Sequence, residues 1–176
     1  MALGNQFKSA ELGGSAFSAT YTDEQYPLGT IAYQSADEVA AATHTDGTAL
    51  GLQGDRQWMF VKAGVVIGIY DCCVKNAIAT PLVVKPTTGA GDIDYTVSGI
   101  AQNAIALNSY GWIVIRGQCV VNCAALVTAG LYLDTNGAAV AGQCDDSVVT
   151  DTIIATALTA TNTPVTGTVA ARVWLP

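Results

Sequence analysis

Residues 110–123 read YGWIVIRGQCVVNC, an aromatic and aliphatic run that carries one arginine and ends in two cysteines spaced C-x3-C. In an extended strand Cys119 and Cys123 lie roughly 13 Å apart. A disulfide needs Cα atoms within about 7 Å, and one zinc ion needs its sulfur ligands at about 2.3 Å. The sequence has no C-x-x-C pair and no pair of histidines to complete a four-ligand site. The stretch therefore predicts a strand whose cysteines are small, buried, apolar side chains.

The composition of the whole chain favours the same class of structure. The chain has 176 residues, which fits one domain, and 51% of them are apolar while 12% are charged. Strong helix formers such as Glu, Lys and Met are scarce, and Val, Ile, Thr and Gly take their place. Such a composition favours strands that are joined by tight turns. We therefore predict an all-β fold, either a barrel or a sandwich.

The predicted strands follow one another every ~10–15 residues from Arg56 onward, with Gly, Asn or Pro between them. Residues 56–64 and 65–74 are predicted to form a hairpin that turns at Ala63-Gly64. Residues 81–86 are bounded by prolines and are predicted to be an edge or rim strand. The remaining predicted strands are 94–102, 110–121, 131–135, 148–158 and 166–175, with a hairpin turn at Asn136-Gly137.

The first part of the chain has a different character from these strands. Residues 1–29 are rich in Gly, Ser and Ala and show no sustained period, and we separate them as an extended N-terminal arm from a β-rich domain at 30–176. Ser35 to Glu38 has the form of a capping box, which predicts either one short helical turn through Ala42 or a polar loop.

The arm has too little apolar area of its own to offset the cost of ordering its backbone, ~1–2 kcal/mol per residue. We therefore expect neighbouring subunits to order it, for example by adding it as a strand to another sheet. On this view, deleting residues 2–20 leaves the stability of the β core unchanged. The expected interface anchors are the four aromatic residues of the arm, Phe7, Phe17, Tyr21 and Tyr26.

The charge balance bears on the partners of the protein. Fourteen acidic residues oppose seven basic ones, which gives a formal net charge of −7. An acidic surface without a basic stripe repels a phosphate backbone, so no direct binding of nucleic acid is predicted. The sequence shows no signal-peptide pattern and no run of ~18 apolar residues, so no membrane span is predicted. Five cysteines without a secretion signal predict reduced thiols in a cytoplasmic setting.

No catalytic residue, metal site or cofactor is predicted. His44 is the only histidine, and it lies in an apparent surface turn; the G-x-S-x-G nucleophile motif is absent. Several aspartates next to glycines resemble calcium loops but lack the remaining ligands of an EF-hand. The glycines of residues 87–92 lack the Lys-Ser/Thr pair of a phosphate-binding loop. We expect a protein that is not an enzyme.

Three stretches resemble the capsid decoration proteins, or cement proteins, of tailed bacteriophages. They are GDRQWMFVKA at 54–63, YGWIVIRG at 110–117 and GLY at 130–132, and the resemblance extends over roughly residues 50–175. It implies a β-rich structural protein that binds the outside of an expanded icosahedral capsid and joins neighbouring major capsid protein subunits, often as a homotrimer. The implied location is the exterior of the virion, after assembly in the host cytoplasm.

Two alternatives remain open at this point. One is a ligand-binding β-sandwich, such as a carbohydrate-binding module, for which Trp58, Tyr110 and Trp112 would supply exposed aromatic rings. These three residues lie inside apolar strands, where packing in a core or between subunits is commoner. The other alternative is a structural component of the tail or neck. The low density of charge also predicts self-association.

Overall fold

The computed structural model describes residues 6–8, 16–40, 52–76, 82–87, 97–124, 127–134, 140–146, 154–160 and 167–175. Within these ranges strands are the main regular structure and helices are few and short, which confirms the prediction of an all-β fold. The strands are β1 (Gln6–Lys8), β2 (Ile31–Gln34), β3 (Arg56–Ala63), β4 (Cys72–Lys75), β5 (Val83–Pro86), β6 (Val97–Ala101), β7 (Tyr110–Cys123), β8 (Tyr132–Asp134), β9 (Asp145–Asp146), β10 (Ala155–Ala157) and β11 (Gly167–Trp174).

Two short helices accompany the strands. A 3-10 helix spans Ala16–Ser18, and helix α1 spans Ala36–Ala40. Helix α1 begins directly after Ser35, whose backbone N–H and hydroxyl both donate to a carboxylate oxygen of Glu38 at 3.0 and 3.1 Å. The capping box therefore starts a helical turn, as the first of the two sequence-based alternatives predicts. Ala42 lies outside the described residues. No helix in the described part of the chain is long and apolar enough to cross a membrane.

The strands form one sheet in the order β1-β2-β3-β5-β4-β6-β7-β11-β10-β8-β9, and β3 also pairs with β7. This additional pairing joins β3, β5, β4, β6 and β7 into a closed circuit, which gives the fold its barrel-like character. Strands β2 and β1 extend the sheet from β3. Strands β11, β10, β8 and β9 extend it from β7.

The two faces of the circuit bury different side chains, because successive residues of a strand point in opposite directions. Phe60 and Trp112 belong to the larger apolar cluster, whereas their neighbours Val61 and Ile113 belong to a smaller one. Every strand of the circuit contributes to the smaller cluster, so this cluster fills the inside of the circuit. The larger cluster lies on the outer face, where residues of β8, β10 and β11 and of the N-terminal part of the chain cover it.

Strand β7 is the central strand of the fold, and its sequence is the stretch YGWIVIRGQCVVNC. Its first half pairs with β3 and β6, and its second half pairs with β11. The chain passes from one half to the other at Gly117, which has a φ of +103°. A Cβ at this position would collide with the backbone oxygen of Asp55, so the close approach of the two segments requires glycine.

One of the predicted strand arrangements is wrong, and one of the two alternatives for another is excluded. The predicted hairpin of residues 56–64 and 65–74 does not form, because β5 lies between β3 and β4. For the same reason β5 is an interior strand, which excludes the edge-strand alternative for residues 81–86. The alternative of a rim segment stays a prediction. Pro86 is the last residue of β5, so the missing N–H of proline interrupts no pairing in the middle of the ladder. The predicted turn at Asn136-Gly137 lies outside the described residues.

Candidate functional site

The N-terminal segment, defined here as residues 16–30, packs on the sheet of its own chain. Phe17 is only 5% exposed. Its ring stacks on Trp58 at a centroid distance of 4.9 Å and meets Trp112 edge-on at 5.5 Å. The side-chain amide of Asn103 donates to the backbone oxygen of Phe17 at 3.0 Å. Residues of β3 and β7 and a loop between β6 and β7 thus hold Phe17 in the larger apolar cluster.

Two tyrosines continue this packing along the outer face. The Tyr26 ring lies 5.3 Å from the ring of Phe60 and 5.3 Å from that of Trp112. Tyr21 exchanges both backbone hydrogen bonds with Tyr110, at 2.9 and 2.8 Å. Both Tyr21 and Tyr26 are half-buried. The aromatic rings of the N-terminal segment therefore extend the core of the same chain.

These contacts show what orders the second half of the N-terminal arm. The sequence predicts that neighbours must order residues 1–29, but residues 16–30 are ordered by apolar contacts within the chain. Strand β1 adds itself in parallel to β2 of the same sheet, with Phe7 opposite Ala32. The division of the chain at residue 29, and the role of Phe7, Phe17, Tyr21 and Tyr26 as interface anchors, stay predictions.

All five cysteines are buried, as predicted, but the fold brings four of them together. Cys72, Cys119, Cys123 and Cys144 all belong to the larger apolar cluster. The side chains of Cys72 and Cys144 are hydrogen-bonded, and the backbones of Cys123 and Cys144 pair in a parallel bridge. The sequence gives no sign of this proximity, because β4, β7 and the segment before β9 meet only through the sheet.

Burial keeps four of the five thiols protonated near neutral pH, because it raises the pKa of each. Burial raises the pKa of Cys119 and of Cys123 to about 12. Burial likewise raises the pKa of Cys73 and of Cys144 well above its ordinary value. Because the thiolate is the reactive form, these four residues are weak nucleophiles near neutral pH. No group of three or more Cys, His, Asp or Glu residues in the described ranges has an arrangement that could hold a metal ion.

Two loops at one end of the closed circuit carry exposed apolar side chains, and we call residues 64–71 and 102–109 the loop platform. Ile67 and Ile105 exchange backbone hydrogen bonds at 2.9 and 3.0 Å, so the two loops are held together. Val66 is 66% exposed and Leu107 is 53% exposed, and Val65 and Ile69 are also exposed. The platform is therefore an apolar surface on a hydrogen-bonded frame.

A cleft of about 480 Å³ lies elsewhere on the surface, where β2, β3, β7 and β11 run side by side. One residue from each strand forms a row across it: Tyr33 is opposite Gln57, Gln57 is opposite Arg116, and Arg116 is opposite Trp174. Residues opposite each other on antiparallel strands project to the same face. We call this the arginine cleft. Its other lining residues are Asp55, Gly117, Arg172 and Val173.

The tryptophans separate the core from the surface. Trp58 and Trp112 are buried, at 2% and 1% exposure, which fits the core packing expected for strands of this kind. Trp174, for which no role is predicted from the sequence, is 41% exposed. The alternation of β11 contains the signal that could have found it, since Ala171 and Val173 are buried while Arg172 and Trp174 face outward.

Of the other polar residues that the sequence singles out, two lie on β9 and the rest lie outside the described residues. His44, the calcium-like aspartates of residues 92–94 and the glycines of residues 88–91 lie outside the described residues. Asp145 and Asp146 form the short strand β9 and are half-buried. Burial raises the pKa of Asp145, and the neighbouring carboxyl of Asp146 contributes to this rise.

Comparisons with known proteins give a structural similarity without a match to a protein family or to a curated protein. No protein-family model matches the sequence, and no curated protein matches it. Among solved structures, the N base of the head fiber gp8.5 of bacteriophage phi29 superimposes with a TM-score of 0.46 and 12% sequence identity. The superposition covers 66% of this chain and 92% of that one. A similarity at this level does not establish a shared function.

Proposed function

We propose that the protein is a non-enzymatic structural component of a bacteriophage particle, which decorates the outside of an icosahedral capsid. In this role it binds the major capsid protein and stabilises the contacts between neighbouring capsid subunits. The sequence resemblance at residues 54–63 and 110–117 supports this assignment. The observation that carries it is the loop platform, because a decoration protein needs a preformed surface that is complementary to another protein.

The loop platform has the properties of such a surface. Val65, Val66, Ile69 and Leu107 expose large aliphatic side chains within two short loops, whereas most aliphatic side chains of the described residues are buried. Exposed apolar patches on a soluble domain mark sites of interaction with other proteins. The centre of a stable interface is apolar and depleted in charge. The platform contains one charged residue, Asp71, and it is buried.

The frame of the platform limits the entropic cost of binding. In addition to the bonds between Ile67 and Ile105, the backbone of Ala63 exchanges hydrogen bonds with Asn108 and Ser109, each at 2.9 Å. Asp71 accepts a hydrogen bond from the backbone N–H of Gly68 at 2.6 Å. A surface that is already ordered loses little conformational freedom when a partner binds. The platform would therefore dock on a capsid without rearrangement.

A pair of charge substitutions tests this function. Val66→Asp combined with Leu107→Asp would place two carboxylates in the apolar interface, and we expect co-sedimentation with expanded capsids of the encoding virus to fall at least tenfold. Val140→Asp is the matched control, since Val140 is 50% exposed outside the platform. Normal capsid binding by the double variant, with circular dichroism unchanged, would overturn the proposal. Low-dose electron microscopy of the particle would then decide between the capsid and a tail or neck position.

Self-association belongs to the same proposal. We expect a homotrimer, by analogy with cement proteins, and sedimentation of the free protein and of the protein released from particles measures it. The platform variants are measured both by co-sedimentation with capsids and by sedimentation of the protein alone. The two measurements distinguish loss of capsid binding from loss of the trimer. A monomer in both states would contradict the trimer while leaving the capsid assignment to the binding assay.

A further inference from the structure

The arginine cleft concentrates positive charge on an acidic protein. The chain has seven basic residues against fourteen acidic ones, and two of the seven, Arg116 and Arg172, line this cleft. Both side chains are exposed, and neither forms a side-chain hydrogen bond or ion pair within the part of the chain that the structure describes. Two guanidinium groups are thus available to a ligand.

The groups around the cleft compensate this charge only in part. Asp55 is the one acidic residue among the described residues that line the cleft, and one of its carboxylate oxygens accepts the backbone N–H of Ala36 at the start of α1, at 2.9 Å. Behind the cleft, Arg56 is 3% exposed and donates from Nε to the backbone oxygen of Gln118 at 2.7 Å. Its Nη2 is buried without a hydrogen-bond partner. A third positive charge therefore lies beneath the cleft, and the field there favours an anion.

The shape and the apolar part of the cleft narrow the class of ligand. Strands are spaced by about 4.8 Å, so the row from Tyr33 to Trp174 is about 14 Å long. A volume of about 480 Å³ is in the range of small-molecule pockets, about 300–1,000 Å³. Trp174 offers a flat, half-exposed ring at one end, and Gln57 in the middle of the row carries both donor and acceptor atoms. Aromatic faces and amides next to guanidinium groups suit a sugar that carries an anionic group.

We propose that the arginine cleft binds an anionic carbohydrate, with a sugar ring stacked on Trp174 and its carboxylate or phosphate held by Arg116 and Arg172. Guanidinium groups bind both anions in a bidentate geometry, so the chemistry is common to the two kinds of sugar. Val173, between the two contact residues of β11, is buried in the larger apolar cluster and fixes the strand. The site is independent of the loop platform, so capsid docking and sugar binding can fail separately.

Binding to the isolated protein tests the inference. The probes are a glucuronic-acid-containing tetrasaccharide, a sugar phosphate and a neutral tetrasaccharide, each measured by calorimetry and by quenching of tryptophan fluorescence. Because Trp58 and Trp112 are buried, the quenching reports mainly on Trp174. We expect one or both anionic probes to bind at least tenfold more tightly than the neutral one, with affinity falling as salt rises. The anionic probe that binds more tightly shows whether the ligand carries a carboxylate or a phosphate.

Three variants locate the site. Arg116→Gln combined with Arg172→Gln, and separately Trp174→Ala, should each weaken binding at least tenfold, whereas Trp174→Tyr should retain most of it. Lys75→Gln removes a positive charge from β4, outside the cleft, and should change the affinity less than twofold. The proposal is overturned if neither anionic probe binds at millimolar concentration, if the neutral probe binds equally well, or if Lys75→Gln weakens binding as much as the arginine variant.

Discussion

The two ends of the larger apolar cluster are built from different side chains. The aromatic end consists of rings from the N-terminal segment, β3 and β7, including Phe17, Tyr26, Phe60 and Trp112. The thiol end contains many small side chains, since Cys72, Cys119, Cys123 and Cys144 belong to the same cluster as the buried alanines of β10 and β11. Strand β7 runs through both ends and turns from one to the other at Gly117.

Because of this difference, one continuous core should respond to two separate changes, the loss of an aromatic side chain and a rise in pH. Each aromatic ring buries a large area, so the stability of the aromatic end depends on a few residues. The small residues of the thiol end each bury a smaller apolar area. Three cysteines of this end, Cys119, Cys123 and Cys144, have a raised pKa. Cys73, in the smaller cluster, also has a raised pKa. The stability of the aromatic end should therefore depend strongly on the loss of single rings. The stability of the thiol end should depend on pH.

The largest expected effect is at the aromatic end. Phe17→Ala should lower the free energy of unfolding by about 3–5 kcal/mol, since it leaves a cavity between Trp58 and Trp112. Urea unfolding followed by circular dichroism measures the change, and Phe17→Leu is the conservative control with a smaller loss. A loss below about 1 kcal/mol would show that residues 16–30 do not belong to the core of their own chain.

The same packing revises the expected effect of a truncation. Deletion of residues 2–20 removes Phe17, so we now expect it to destabilise the fold, in contrast to the expectation from sequence. Deletion of residues 2–15 keeps Phe17 and is the matched comparison. If both truncated proteins unfold at the urea concentration of the full chain, the aromatic end is held together without the N-terminal segment.

An intermediate effect is expected at the thiol end when the pH rises. In the unfolded chain the thiols ionise near pH 9, whereas burial keeps Cys119 and Cys123 protonated up to a pKa of about 12. The folded state thus holds more protons between these values, and stability falls as the pH rises through this window. At pH 10 the loss is about 1.4 kcal/mol for each of the two thiols.

Urea unfolding at pH 7 and pH 10 measures this dependence. The control is the double variant Cys119→Ala and Cys123→Ala, which should lose about 3 kcal/mol less between the two pH values than the unchanged protein. An equal loss in both proteins would mean that the alkaline response arises from other groups and not from the thiol end.

The smallest effect is expected from reductants and chelators. All five thiols are buried, and the pKa of four of them is raised, so adding a reductant or a chelator should leave the thermal midpoint unchanged. A shift of more than about 2 °C, which is on the order of 1 kcal/mol for a chain of this size, would contradict this. It would point first to Cys72 and Cys144, whose side chains are hydrogen-bonded.

The sequence predicts the fold where local pattern decides the structure. Strand β7, the predicted strand positions at β3, β6, β8 and β11, and the capped helix α1 follow from alternation and from Ser35 and Glu38. The local pattern does not determine which strands pair with each other. The insertion of β5 between β3 and β4 depends on long-range pairing, which a periodic pattern in one segment does not encode.

The candidate sites show the same limit. The aromatic residues of the N-terminal segment have irregular spacing because they pack on a curved sheet, so they match neither the helical nor the strand period. The row across the arginine cleft joins residues as distant as Tyr33 and Trp174, which only the register of four strands places side by side. The outward direction of Arg172 and Trp174 was readable from the alternation of β11.

The closed circuit also dictates when the fold can form during synthesis. Strand β3 cannot close the circuit until β7 has emerged, and Tyr21 must wait for Tyr110, about half the chain length away. Contacts between such distant residues are slow to form because a long loop must close first. Until then the rings of Phe17 and Trp58 have no sheet to cover, and a nascent chain in this state is prone to associate with its neighbours. The ribosome therefore releases the N-terminal segment long before its place in the core exists.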